Sequence, residues 1–335
     1  MPTICVTGAG GYIGSALVKA LAQAGAEELL LLDSSEYALF EIQRYMEAAH
    51  PRVCSEPLLG SVGDAGLLDA VFGRFHPEII FHAAAFKHVG LLERNPFAAI
   101  ANNALGSYTL AEAAARHGAR NLVFVSTDKA ARPASVMGVS KRIAEMLILS
   151  ACGSDCFRAN AVRLGNVIGS PGSVIPLLLE RIERGEDLCV THPEASRYFL
   201  SLDQTVAAIL AAADAECEGK ILLPEFGEPV RIAELAEFLG KGLPIRFTGL
   251  RPGEKISEDL IGPDEEPAGV IHGALTVVNS RKLSREDCEN AVQRLLDCVQ
   301  RRDIASLLET LLWLAPEYQP SHSIEDRAAV RAAQR

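Results

Sequence analysis

Short apolar runs alternate with amphipathic stretches along this 335-residue chain. Runs of strand length are Thr3–Thr7, Leu29–Leu32, Pro57–Val62, Glu78–His82, Asn121–Ser126 and Ala159–Leu164. Between them Ser15–Ala24, Ala65–Phe75, Pro96–His117 and Val136–Ser150 show helical periodicity. Repeated strand–helix units predict an α/β fold with a doubly wound parallel sheet of the Rossmann type and right-handed crossovers. Further on, Gly172–Pro176 opens a helix to Glu183, and Leu188–Thr191 is a short strand. Leu202–Ala213, Arg231–Leu239, Leu283–Val299 and Ile304–Leu314 read as helices. The acidic stretch Pro263–Pro267 reads as a solvated loop. In Pro96–His117 the adjacent Asn102 and Asn103 are poor helix formers, so at least one is expected to hydrogen-bond something specific.

Chemistry enters where predicted strands open into loops. After the first strand comes Gly8-Ala-Gly-Gly-Tyr-Ile-Gly14 and then a helix. Glycines at 8, 11 and 14 permit a tight turn and close backbone approach to a pyrophosphate, which then faces the helix N-terminus. Gly8, Gly11, Tyr12, Ile13 and Gly14 are therefore candidate cofactor contacts. The second strand ends at Asp33, placed to accept a ribose hydroxyl, with Ser34 beside it. No Lys or Arg follows until Arg44, which favours NAD over NADP. Asp64 is a candidate for the adenine end. Ala83 and Ala84 are small enough to let a dinucleotide lie close, and Lys87 and His88 lie just beyond. The fifth strand opens into Thr127, Asp128 and Lys129, an acid and a base side by side. Met137 and Lys141 are four apart, on one face of the next helix.

The turn chemistry of Gly169-Ser-Pro-Gly-Ser173 suggests a boundary. The expected organisation is a dinucleotide-binding domain at 1–170, with a returning segment around 195–225. A smaller C-terminal α/β substrate part follows at 171–320, then a flexible polar tail at 321–335. Hydrophobic residues make up 49% of the chain, enough for a full core. Its 32 basic and 43 acidic residues give a net charge of −11, which carries no general attraction to nucleic acid. Eight scattered cysteines form no Cys-x-x-Cys pair and no zinc spacing, so free thiols, a reducing cytoplasm and no metal are expected. The N-terminus enters a strand directly, without a signal-peptide core, and no apolar run spans a membrane.

Gly8-x-x-Gly11-x-x-Gly14, Ser126-Thr-Asp-Lys129 and Met137-x-x-x-Lys141 together resemble an extended short-chain dehydrogenase/reductase. More narrowly, four stretches resemble the nucleotide-sugar 4,6-dehydratases of polysaccharide biosynthesis. These are Phe81–Val89, Ser126–Ala130, Val162–Ser170 and Gly249–Lys255. Thr191-His-Pro and Ser196–Phe199 also fit. Many relatives carry an N-terminal membrane domain, whereas this chain starts at the catalytic part. The superfamily's Tyr is replaced by Met137, as in a branch of UDP-N-acetylglucosamine 4,6-dehydratases that retain configuration at C5. Tyr12 stands where many close relatives have Ser.

The resemblance implies an NAD-dependent hydro-lyase that oxidises the sugar at C4, loses water across C5 and C6, and returns hydride to C6. It implies Lys129 as the C5 base, its pKa lowered by the nicotinamide and by Lys141, and Asp128 as the acid for the C6 hydroxyl. Lys141 would bind the nicotinamide ribose. Met137 takes no proton, which leaves Thr127, water or Asp128 as acceptor for O4. Lys87, His88, Asn166, Ser173, Val174 and Thr191 are implied on the UDP-sugar side. Arg197 and Arg251 would meet the diphosphate by bidentate contacts. Glu254 would hold a ribose hydroxyl or orient Arg251. Relatives associate through helices flanking the sheet, so a homo-oligomer is expected. The alternatives are a UDP-sugar 5,6-dehydratase, an epimerase on the same fold, and a non-catalytic NAD-binding protein.

Overall fold

The computed structural model describes residues 2–151, 157–271 and 275–332. Six parallel strands carry the dinucleotide half. They are β1 (Ile4–Thr7), β2 (Glu28–Asp33), β3 (Cys54–Leu59), β4 (Ile79–His82), β5 (Asn121–Thr127) and β6 (Arg158–Leu164). β7 (Asn166–Val167), β8 (Leu188–Val190), β9 (Ser196–Arg197), β10 (Phe199–Leu200), β12 (Val230–Arg231) and β13 (Ile245–Phe247) form short pairs outside the main sheet. β11 (Ile221–Leu223) joins β6 in parallel. β14 (Glu266–Ile271) and β15 (Leu275–Asn279) extend the sheet antiparallel, giving nine strands in the order 14-15-11-6-5-4-1-2-3. The order reverses between β1 and β4, and at such a switch point ligands bind beyond the carboxyl ends of the strands.

The helices are α1 (Tyr12–Gln23), α2 (Glu36–Ala49), α3 (Ala65–Phe75), α4 (Val89–Arg94), α5 (Pro96–Ala99), α6 (Gly106–Arg116), α7 (Val136–Ala151), α8 (Val174–Glu183), α9 (Leu202–Ala213), α10 (Ile232–Gly240), α11 (Arg285–Arg301), α12 (Ile304–Leu314) and α13 (His322–Ala332). The central strands are apolar on both faces because both are covered. One layer joins Val6, Leu17, Leu31, Val123 and Ile209, and the other joins Leu30, Phe72, Leu110, Phe124 and Ile148. A separate cluster of Leu178, Leu188, Val190, Ile232 and Ala236 holds a smaller lobe.

Several expectations change. The strand expected at Pro57–Val62 lies at Cys54–Leu59, in register with Glu28–Asp33. It is an edge strand, where Cys54, Pro57 and Leu59 are exposed and a proline is tolerated. The helix expected at Pro96–His117 contains a π-helical segment at Ile100–Leu105. There Asn103 is fully buried: its Oδ1 accepts from the Phe86 amide at 2.8 Å, and its Nδ2 donates to the Phe86 carbonyl and to Ser140 Oγ. Residues after 170 do not form one block, since β11, β14 and β15 return to the main sheet. Nor is the polar tail loose through residue 332. It forms α13, whose Ile324 is 1% exposed against Leu92, Val136 and Met137. Residues 333–335 lie outside the described residues, as do Cys152 and Cys156. The other six cysteines are free thiols.

Pro263–Pro267 is the largest correction. Glu265 is buried, its carboxylate gripped by Arg163 at 2.6 and 2.7 Å and by Arg142 at 2.7 Å. Asp264 pairs with Arg142 at 3.1 Å. Glu145 completes the cluster, meeting the Arg163 guanidinium at 2.8 and 2.7 Å and accepting from Ser126 Oγ at 2.6 Å. Burial alone would raise the Glu265 pKa, but Arg163 and Arg142 outweigh it and hold the carboxylate below its usual range.

Glu265→Ala would leave Arg163 buried without half its countercharge. We expect a loss of about 3–5 kcal/mol in urea unfolding, measured by the midpoint shift at constant slope.

Candidate active site

The first three turns at the switch point come from β1, β2 and β4. Gly8 has φ +66°, and a Cβ there would lie 2.8 Å from the Ala84 amide nitrogen. The β1 and β4 loops thus touch, held also by the Ala83 amide on the Thr7 carbonyl at 3.1 Å. A Cβ on Gly14 would overlap the Gly8 carbonyl. Gly10, which the glycine spacing did not single out, must also be glycine, because Ala38 of α2 lies against it. α1 starts at Tyr12, within the loop, so the free amides of Tyr12, Ile13 and Gly14 head the helix.

Asp33 is buried and accepts the amides of Gly10 and Ser35, both at 2.9 Å. Two acceptor positions remain on the carboxylate for a diol. Among the described residues no cation pairs with it, and a carboxylate there opposes a 2′-phosphate. These features fit NAD: a backbone cradle that side chains would fill, a helix N-terminus, and a pinned acceptor. Ser34 is exposed beside Asp33, and Asp64 caps α3 through the Leu67 amide at 3.0 Å. Below the cradle His82 is fully buried between Thr7 Oγ1 at 2.7 Å and Ser107 Oγ at 2.8 Å. Burial, reinforced by Lys141, pushes its pKa down to about 3.

β5 delivers the turn that carries Asp128 and Lys129. Thr127 ends the strand and Asp128–Ala130 form a single 3-10 turn. Asp128 is 1% exposed; its Oδ1 accepts from Thr127 Oγ1 and from Lys129 Nζ, both at 2.9 Å. Its Oδ2 is buried without a hydrogen-bond partner. Lys129 Nζ also donates to Asn166 Oδ1 at 3.2 Å and lies 3.8 Å from Glu258, a residue the motifs did not flag. The expected lowering of Lys129 is not met. Burial lowers it, but Asp128 and Glu258 outweigh burial, and the amine is held above its ordinary range. Lys141 is the lysine that shifts down. Burial takes it to about 7 against the pull of Glu145, with Nζ on the Val125 carbonyl at 2.6 Å and over the Phe124 ring.

Met137 is 5% exposed and packs with Leu92, Ala99, Val136 and Ile324. The start of its helix is fixed by Glu93, whose buried carboxylate accepts from the Val136 amide at 2.6 Å and from Ser321 Oγ at 2.6 Å.

On the substrate side the outcome is mixed. Lys87 donates to Ser170 Oγ at 2.6 Å and the Pro171 carbonyl at 2.9 Å, and the His88 ring lies against Gly172. Both therefore brace the loop that leads to Ser173 and Val174 at the start of α8. Tyr12 donates to the Ile168 carbonyl at 2.8 Å, joining the glycine loop to the same segment. Arg197, expected on a diphosphate, spends its guanidinium on the carbonyls of Ser196, Lys255 and Ile256, tying down the loop after Arg251. Arg251 is exposed, and Glu254 accepts its backbone amide at 3.1 Å. Thr191 follows β8, half-buried. Among the described residues no His, Cys, Asp and Glu group is arranged for a metal, and no helix is long and apolar enough to cross a membrane.

This fold and reactive turn define an extended short-chain dehydrogenase/reductase. The signature of one family, described as polysaccharide biosynthesis protein, spans residues 4–280, and the chain belongs to that family. It is 36% identical over 277 residues to "Probable polysaccharide biosynthesis protein EpsC" of Bacillus subtilis, which covers 80% of this chain and 46% of that protein. The chain thus spans about half the length of that relative. It is 30% identical over 267 residues to a Campylobacter jejuni "UDP-N-acetylglucosamine 4,6-dehydratase (inverting)", covering 78% of each. Among solved structures, the Streptomyces venezuelae dTDP-glucose 4,6-dehydratase DesIV with NAD and TYD bound superimposes with a TM-score of 0.70 at 25% identity, covering 78% of this chain and 88% of that one.

Gly8→Ala should weaken dinucleotide binding about tenfold or more, from the cost of positive φ and the Ala84 clash, read as nucleotide released from denatured protein. His82 predicts acid sensitivity. The unfolded histidine takes a proton below pH 6.5 while the folded one stays neutral to about 3, so stability falls as pH drops through that window. Between pH 7 and 5 the loss should be about 2 kcal/mol, and His82→Asn should flatten the slope.

Proposed function

We propose that this protein is an NAD-dependent nucleotide-sugar 4,6-dehydratase, acting on UDP-N-acetylglucosamine to give a 4-keto-6-deoxy sugar with C5 configuration retained. The observation that carries the reading is the Asp128–Lys129 pair at 2.9 Å at the carboxyl end of β5. With it goes a helix position, Met137, that offers no phenol and is buried in an apolar cluster. Epimerisation on this fold would call for that phenol.

Gly8–Gly14 and Asp33 would hold NAD, which when bound would supply hydride-transfer chemistry between C4 and C6 in a redox-neutral cycle. The chain's own groups move the protons. Thr127 Oγ1 donates to Asp128 Oδ1, so the O4 proton passes through the threonine hydroxyl to the carboxylate. Lys129, held in its charged range by Asp128 and Glu258, first gives its ammonium proton to solvent and then, as neutral amine, takes the C5 proton. Asp128 gives its proton to the departing C6 hydroxyl, which leaves as water. The pair is then ammonium and carboxylate, facing each other across the 2.9 Å contact. Lys129 returns its proton to C5, on the face from which it came, and configuration is retained. Asn166 keeps the amine aimed through its carbonyl oxygen. A 5,6-dehydratase would use the same residues and stop at the alkene.

Lys129→Ala should lower turnover at least about a thousandfold while NAD and UDP-sugar still bind, as calorimetry would show. Undiminished turnover removes Lys129 from the mechanism. Mass and proton NMR analysis of UDP-N-acetylglucosamine incubated with the protein, without added reductant, tests the reaction itself. Loss of one water with a C6 methyl signal supports 4,6-dehydration. Loss of water with alkene protons moves the reaction to 5,6, and an isomer of unchanged mass makes it an epimerase.

A further inference from the structure

Glu258 lies in the segment between β13 and β14, beyond the Arg251–Lys255 loop, and its side chain is 4% exposed. Its Oε1 is 3.8 Å from Lys129 Nζ and 3.8 Å from Arg197 Nε; its Oε2 is 3.9 Å from Lys255 Nζ and has no hydrogen-bond partner. A carboxylate so buried demands countercharge. Two of the three cations around it are committed elsewhere. Arg197 holds three backbone carbonyls, and Lys255 is bonded to Asp259 at 2.6 Å and to the Arg132 carbonyl. Lys129 is faced by Asp128, Glu258, Asn166 and, at longer range, Arg197. Its ammonium therefore sits between two carboxylates, one of which shares the reactive turn and one of which comes from the substrate lobe.

We propose that Glu258 is a positioning residue of the dehydration site: its carboxylate holds the Lys129 amine and stabilises the positive charge that forms there when the C5 proton arrives. The inference rests on the proposed role of Lys129. A fixed, dry carboxylate placed where charge develops needs no reorganisation during the step. The same interaction raises the pH at which Lys129 becomes a base. Asp128 cannot serve both ends, because it must release a proton to the leaving hydroxyl as Lys129 gains one. The second carboxylate keeps the lysine compensated while the first changes charge.

The test is Glu258→Gln in the full-length protein. The plateau of kcat should fall about ten- to a hundredfold, with KM for UDP-N-acetylglucosamine within about threefold of the parent. The ascending limb of the kcat–pH profile should move down by about one pH unit. A lower kcat with the limb unmoved would mean a structural role only and overturns the proposal. Competitive labelling of Lys129 with a small acylating reagent across pH, read by peptide mass spectrometry, gives the same midpoint without turnover. A lower midpoint in the variant supports the coupling, and an equal one overturns it. If the parent yields no keto sugar, the functional reading fails while labelling still decides the coupling. Should the glutamine variant lose its fold by circular dichroism, Glu258→Asp keeps the charge but withdraws it by one methylene. Its labelling midpoint must then lie below the parent's, and equality overturns the proposal.

Discussion

Arg163, fully buried between Glu145 and Glu265, is the constraint on which the arrangement of the site depends. Each partner comes from a different part of the chain: the arginine from β6, Glu145 from α7, and Glu265 from the residue just before β14. Arg142 and Glu317 extend the cluster to the segment after α12. Its reach into the site is direct, since Glu145 also takes the hydroxyl of Ser126, one residue before the reactive turn. A buried charge tolerates no arrangement that leaves it alone. The cluster therefore discriminates among ways of stacking the C-terminal strands on the dinucleotide half, where apolar burial alone would accept several. Once that stacking is set, β5 and α7 are at fixed distance, and Thr127 to Lys141 follow.

What the sequence made legible was local. Apolar runs and helical periods located most strands and helices within a few residues, and the glycines at 8, 11 and 14 with Asp33 marked the cradle because each meets a requirement of its own backbone. Partnerships across hundreds of residues left no such mark. Glu265 sits in an acidic run that looks like any solvated loop; only the arrival of two arginines from other elements makes it core. Arg197 was read as a phosphate ligand because a guanidinium suits one, and its bonds to the carbonyls of Ser196, Lys255 and Ile256 carried no sequence signal. Glu258 carries no spacing that points to Lys129. Of the two asparagines at 102 and 103 the sequence flagged the pair, and the π-helical turn shows why: one extra residue in the turn aims Asn103 at the Phe86 backbone.

Two lysines in one site illustrate how environment divides a single chemistry. Lys141 is buried beside one distant carboxylate, with a carbonyl and an aromatic face for company, and is driven toward neutrality. Lys129 is compensated twice and kept charged until the site asks otherwise. Two amines in neighbouring positions are thus shifted in opposite directions by their surroundings. Met137 belongs to the same division. It contributes polarisable packing and no hydroxyl, and so keeps the start of α7 dry.

The contact between Glu93 and Ser321 spans 228 residues. Glu93 caps the helix that carries Met137 and Lys141, and Ile324 covers that helix from outside. A ribosome delivers these partners 228 residues apart. The dinucleotide half can collapse early, since its pairings are nearly all between successive strands. The reactive helix, in contrast, keeps an unsealed end until α13 has cleared the exit tunnel, at translation speeds on the order of ten residues per second. In a nascent chain of this protein the turns around Gly8 and Asp33 can thus form before the helix of Met137 and Lys141 is sealed.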